Sequence, residues 1–191
     1  MNSYAYYKNA RNAAWQCLLD HHIDRLPVSL SKIAQEKGIK LIRNADIGIL
    51  PPENSGISVF DGEQWFVVYD EKDSVPRQRF TVAHEFGHIF LGHEYKNGYY
   101  NTRVFAVDKP RDETDADIFA SRLLSPACVL WALDLHRAED IAKVCNISLA
   151  AAQIRSERME ELYARNKFLT HPLERQVFSQ FQEFINKNKP K

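Results

Sequence analysis

Apolar residues recur along this chain at two different spacings, and the spacing divides it into elements. From residue 3 to 21 they return every three or four positions, with Ala10, Ala13, Ala14, Cys17 and Leu18 on one stripe, which predicts a helix. Leu26-Pro27-Val28-Ser29 leads into a shorter helix that Ser29 caps and Gly38 ends. The period then changes. Residues 39–42 read as a strand, and 57–60 and 64–69 flank Asp61-Gly62 as a hairpin closed by a primed turn. Helical spacing returns over 76–92. Residues 94–111 carry Asn, Gly, Tyr and Pro without a period, as a long loop beside a functional site does. Its Tyr95, Tyr99 and Tyr100 read as aromatic packing, with donation to an oxyanion as the alternative role. Residues 112–124 form a helix opened by acidic side chains and closed by Ser125-Pro126.

From 127 onward the pattern is helical. Residues 138–159 have the look of a helix-turn-helix: one helix ends near Asn146, Ser148 caps the next, and Ala151 and Ile154 face back toward Ile141 and Val144. A last helix starts at Pro172 and runs to about residue 187, with Val177, Phe178, Phe181, Phe184 and Ile185 on its apolar side. The Lys-rich end reads as a frayed tail.

Chemistry enters in the 76–92 helix. Thr81-Val82-Ala83-His84-Glu85-Phe86-Gly87-His88 contains H-E-x-x-H. His84 and His88, four apart, leave one helical face one turn apart, as two ligands of a single metal must. Glu85 sits about 100° round the helix, where its carboxylate holds water without ligating the metal. Val82, Phe86, Ile89 and Phe90 anchor the helix in a core, and Gly87 lets another element approach closely. Two imidazoles and a carboxylate favour zinc, although ligand type alone leaves manganese, cobalt and iron open.

A third protein ligand is needed, with a fourth position left for water. In the 112–124 helix, Glu113, Ala116, Asp117, Ala120 and Leu124 form one stripe, whereas Asp115 lies about 200° from Glu113. Glu113 is the expected third ligand. Asp117, one turn on, is placed to accept the second ring N–H of a ligating histidine. His93 fails the metzincin pattern, which asks for a third histidine six residues after the second and a glycine where this chain has Leu91. It reads as a helix-terminal or cleft-lining residue.

Residues 77–93, with Arg79-Phe80-Thr81 before the histidine pair, followed by Glu113-Thr114-Asp115-Ala116-Asp117-Ile118-Phe119-Ala120-Ser121-Arg122-Leu123-Leu124-Ser125-Pro126, resemble the ImmA/IrrE family of metallo-endopeptidases. Its members carry R-F-T-x-A-H-E-x-G-H and then E-x-x-A-[ND]-x-F-A-x-x-L-L-x-P. The resemblance covers roughly residues 1–165. It implies a zinc peptidase whose usual substrate is a helix-turn-helix repressor, cut to release transcription in mobile elements or stress regulons. It also implies His84, His88 and Glu113 as ligands and Glu85 as general base. Many members have Glu where this chain has Asp115, so that position stays open as the third ligand.

Composition changes the picture little. Lys+Arg and Asp+Glu are 25 each, which speaks against affinity built on phosphate neutralisation. The second helix of the 138–159 pair offers Gln153, Arg155, Ser156 and Arg158 beside Glu157, Glu160 and Glu161, a mixed face rather than a basic one. That pair therefore reads as a structural hairpin or substrate-docking surface, with direct binding of nucleic acid not expected. Cys17, Cys128 and Cys145 read as buried thiols rather than a disulfide frame. No signal peptide is visible and no run of about 18 apolar residues occurs, so a cytoplasmic protein without a membrane partner is expected.

The expected architecture is α+β and zincin-like. A metallopeptidase domain over 1–130 packs a small sheet on the H-E-x-x-H helix, and a helical part with the hairpin follows over 131–191. The edge of the 64–69 strand is expected to take up an extended substrate as one more strand. The alternative to a Zn2+ endopeptidase is a DNA- or repressor-binding regulatory module with a non-catalytic metal site, and a toxin-antitoxin-like partner protein is a third class. An intact Glu85 speaks for the enzyme.

Overall fold

The computed structural model describes residues 3–93, 99–100 and 111–189. The chain divides into two compact units. The first gathers residues 1–13 with 30–120, and the second gathers 14–29 with 121–191. Helix α1 (Ser3–Asp20) and helix α5 (Arg111–Leu124) each contribute to both.

The first unit is mixed α and β. Helix α2 (Leu30–Lys37) begins directly after Ser29 and ends at Gly38, whose φ of +72° is a backbone state that glycine adopts without strain. Strand β1 (Ile39–Arg43) follows, then a single helical turn, α3 (Asn44–Ile47), in a stretch where sequence periodicity assigns nothing. Strands β2 (Gly56–Phe60) and β3 (Trp65–Tyr69) form the expected antiparallel hairpin, with Phe60 opposite Trp65. Asp61 closes it: its carboxylate accepts from the amides of Glu63 and Gln64. Gly62 takes φ +103° and Glu63 keeps a negative φ, the sign pattern of a primed II′ turn.

Strand order is β1-β3-β2-β4, where β4 is Tyr99–Tyr100. β1 runs parallel to β3, with Leu41 opposite Val67. This corrects one expectation. β3 has no open edge on which a substrate strand could add, because β1 and β2 occupy both sides. The parallel crossover leaves no local trace in sequence, whereas the hairpin does. A second correction concerns the 94–111 loop: Tyr99 and Tyr100 pair antiparallel with Val59 and Ser58, and Arg111 already belongs to α5. The remainder, Tyr95 included, lies outside the described residues. Helix α4 (Val75–Leu91) packs against β2 and β3 on the face that carries Gly56, Ser58 and Val67, and it buries Val82, Ala83 and Phe86.

The second unit is helical. It holds α6 (Ala127–Ala132), α7 (Ala138–Cys145), α8 (Leu149–Ala164), α9 (Pro172–Gln180) and α10 (Gln182–Asn188). The α7–α8 hairpin has the expected punctuation. Asn146 takes the left-handed C-cap at φ +51°, and the Ser148 hydroxyl accepts from the Ala151 amide. Its buried face differs from the expected one. Ile154 is 69% exposed, while Ala152, Arg155, Ser156 and Met159 turn inward. Arg155, expected on a surface, is buried and donates from Nη2 to the Ser125 carbonyl at the end of α5. Ser156 likewise donates to the His136 carbonyl. The single C-terminal helix is broken at Phe181 (φ −86°, ψ 2°) into α9 and α10, yet Val177, Phe181 and Ile185 keep one buried stripe across the break. The Gln180 amide ties this segment to the carbonyls of Leu18 and Ile23.

A candidate metal centre on helices α4 and α5

Two features set the register of α4. Pro76 lies in its first turn, and Gly92 ends it in the left-handed conformation at φ +68°. Between them the helix buries Thr81, Val82, Ala83, Glu85, Phe86, Gly87 and His88. Gly87 is where α5 comes close. A Cβ built on it would lie 2.8 Å from Cα and 3.1 Å from O of Ala116. Only hydrogen fits there, so the glycine lets the two backbones touch. Glu113 stands one turn before Ala116 on the same stripe of α5, and the close approach brings it level with the histidine pair.

Three donor side chains meet at that level. Nε2 of His84 and Nε2 of His88 are 3.0 Å apart. Oε2 of Glu113 lies 3.3 Å from the first, and Oε1 lies 3.4 Å from the second. Zinc–nitrogen and zinc–oxygen bonds of about 2.0–2.1 Å at tetrahedral angles put ligand atoms about 3.3 Å apart. The separations found are of that size, with each carboxylate oxygen of Glu113 facing a different imidazole. Among the described residues, His84, His88 and Glu113 form the one group of three or more such side chains close enough to hold a metal ion. Asp115 is not part of it. Burial raises the Asp115 carboxyl above its usual range, against the pull of His93 and Arg111.

The outer nitrogen of each histidine also has a partner. Nδ1 of His84 is 2.9 Å from Oδ1 of Asp117, as the helix stripe predicts. Nδ1 of His88 is 2.9 Å from Nδ1 of His93, a contact that sequence reasoning missed. Two ring nitrogens share that bond, so one carries the proton and the other accepts it. An imidazole that offers Nε2 to a metal keeps its proton on Nδ1; with a metal on its Nε2, His88 would be the donor and His93 the acceptor. The remaining His93 proton then sits on Nε2, 3.9 Å from Asp112 Oδ1. Burial holds the His93 imidazole below its ordinary range, against the pull of Asp112, Asp115 and Glu113. This agrees with the neutral, accepting form. The signal was available: Gly92 reverses the chain after α4 and folds His93 back onto the last turn.

Glu85 is 1% exposed, and its Oε2 accepts a hydrogen bond of 2.8 Å from the Ser58 hydroxyl of β2. Ser58 is a second residue the sequence reading passed over. A hydroxyl between Ile57 and Val59 in an apolar strand was its only signal. The three cysteines are all buried and unbridged, and burial pushes the Cys128 thiol far above its usual range, which excludes a resting thiolate nucleophile there. No helix among the described residues is long and apolar enough to cross a membrane.

An H-E-x-x-H helix carrying two imidazoles beside a carboxylate from a neighbouring helix defines a metallopeptidase-type domain. The sequence matches the peptidase family described as the IrrE N-terminal-like domain over residues 34–157, more than half of the chain, and the chain belongs to that family. No curated protein matches it.

Proposed function

We propose that the chain is a zinc-dependent endopeptidase of the cytoplasm whose substrate is a helix-turn-helix transcriptional repressor, cut to release gene expression. One observation carries the catalytic part: three donors at tetrahedral spacing stand beside a buried glutamate. His84, His88 and Glu113 hold the cation. A zinc ion held there would supply Lewis acidity toward a carbonyl and toward water. Glu85 takes the proton of the attacking water and passes it to the leaving amine. Asp117 and His93 orient the two imidazoles and keep their Nε2 atoms turned to the cation.

The repressor substrate is supported by the family resemblance of the sequence. The alternative, a DNA-binding module with an idle metal site, loses support from Arg155. Its guanidinium is bound to the Ser125 carbonyl and cannot reach a phosphate without unpacking the second unit. The test is cleavage of helix-turn-helix repressors from the same genome by the zinc-loaded chain. Fragments should form with wild type and disappear with a chelator and in Glu85→Gln. An uncut repressor that nevertheless binds the chain would favour the non-catalytic alternative.

A further inference from the structure

We propose that Ser58 is a positioning residue for the reaction, holding the Glu85 carboxylate at the angle from which it serves water. This inference rests on the reading of Glu85 as general base. Ser58 is fully buried in the middle of β2, and its backbone is held on both sides, opposite Val67 of β3 and Tyr100 of β4. From that fixed point its hydroxyl reaches Oε2 of Glu85 at 2.8 Å.

A second contact, one turn earlier, sets the height of the helix. Gly56 lies on the same face of β2, two residues before Ser58. A Cβ there would fall 2.3 Å from Cγ2 of Thr81 and 3.7 Å from Cγ of Glu85. The strand thus offers hydrogen, then hydroxyl, to Thr81 and Glu85, which are themselves one helical turn apart. A glutamate has several free torsions, and a carboxylate on an unsupported stem samples many positions. A charge-assisted bond from a rigid strand selects one. Displacement of a catalytic group by about 1 Å costs on the order of 10²-fold in rate.

A hydroxyl that merely satisfies a buried carboxylate would act on stability alone, and the experiment separates the two roles. Zinc-loaded wild type, Ser58→Ala and Ser58→Thr are compared by metal content, by turnover of labelled casein as the endopeptidase probe, and by crystal structure. Ser58→Ala should keep its zinc and its KM within about twofold while kcat falls roughly 10–100-fold. In its crystal structure the Glu85 carboxylate should leave the wild-type position. Ser58→Thr, which keeps the hydroxyl, should recover most of kcat. A Ser58→Ala protein with a lowered melting temperature, unchanged kcat and an unmoved Glu85 overturns the proposal. Should Ser58→Ala fail to fold, the near-isosteric and weaker donor Ser58→Cys carries the same comparison. If wild type cleaves no casein, the Glu85 position in the zinc-loaded Ser58→Ala crystal alone decides: displaced supports Ser58, unmoved refutes it.

Discussion

Both units bury charged and polar side chains on a helix, and they use them differently. In the first unit His84, His88 and Glu113 converge from two helices, with donor atoms 3.0–3.4 Å apart. In the second, Arg155 is as deeply buried, yet it binds a backbone carbonyl at a helix end. The first arrangement gathers lone pairs around one point, a geometry compatible with a metal ion. The second satisfies an acceptor and completes a core. Burial of charge alone therefore does not mark a site; convergence of like-natured donors does.

Substitutions should divide along that line. The largest effect is expected from Glu85→Gln, which keeps shape and metal ligands but removes the base. Peptide cleavage should fall by roughly 10²–10⁴-fold, with zinc content and melting temperature near wild type. Arg155→Ala should do the reverse. It strands the Ser125 carbonyl and opens a cavity, and about 3 kcal/mol of unfolding free energy should be lost in urea titrations, with metal stoichiometry kept in the folded fraction. Arg158, three residues on, pairs with Glu161 near the surface. Its replacement by Ala should change stability by no more than about 0.5 kcal/mol. Equal effects of the two arginine variants would erase the distinction between the units.

Which parts of this were legible follows from how far the signal travels along the chain. The histidine pair, Glu85 and the Glu113–Asp117 stripe are each set within a single helix, where spacing fixes direction. The capped α7–α8 turn was readable for the same reason, through Asn146 and Ser148. The buried face of α8 was not. Its helix presents Ile154 and Arg155 side by side, and what they pack against, rather than polarity, decides which goes inward. The sheet order was hidden too, since only a parallel crossover places β1 beside β3 and closes the edge expected to bind substrate. Ser58 belongs to this class: it reaches across elements to a partner 27 residues away.

Smaller effects sharpen the comparison within the first unit. Gly87→Ala puts a methyl against Ala116. Relief requires α4 and α5 to part, at about 1–3 kcal/mol of stability and with weakened zinc retention against a chelator. Alanine there with unchanged zinc affinity would mean that the close helix approach does not set the donor spacing. Asp117→Ala and His93→Ala remove these partners of His84 and His88 in turn. Each should weaken metal affinity by roughly 10–100-fold with little loss of stability, as read by competition with a chromogenic chelator.

The most direct test of a three-residue centre is metal content. Purified wild type, His84→Ala, His88→Ala, Glu113→Ala and Asp115→Ala are loaded with zinc, desalted and analysed by plasma emission. About one equivalent is expected in wild type and in Asp115→Ala, with sharp losses in the other three, all folded by circular dichroism. Full zinc in Glu113→Ala together with its loss in Asp115→Ala would contradict the assignment and move the third ligand two residues along α5.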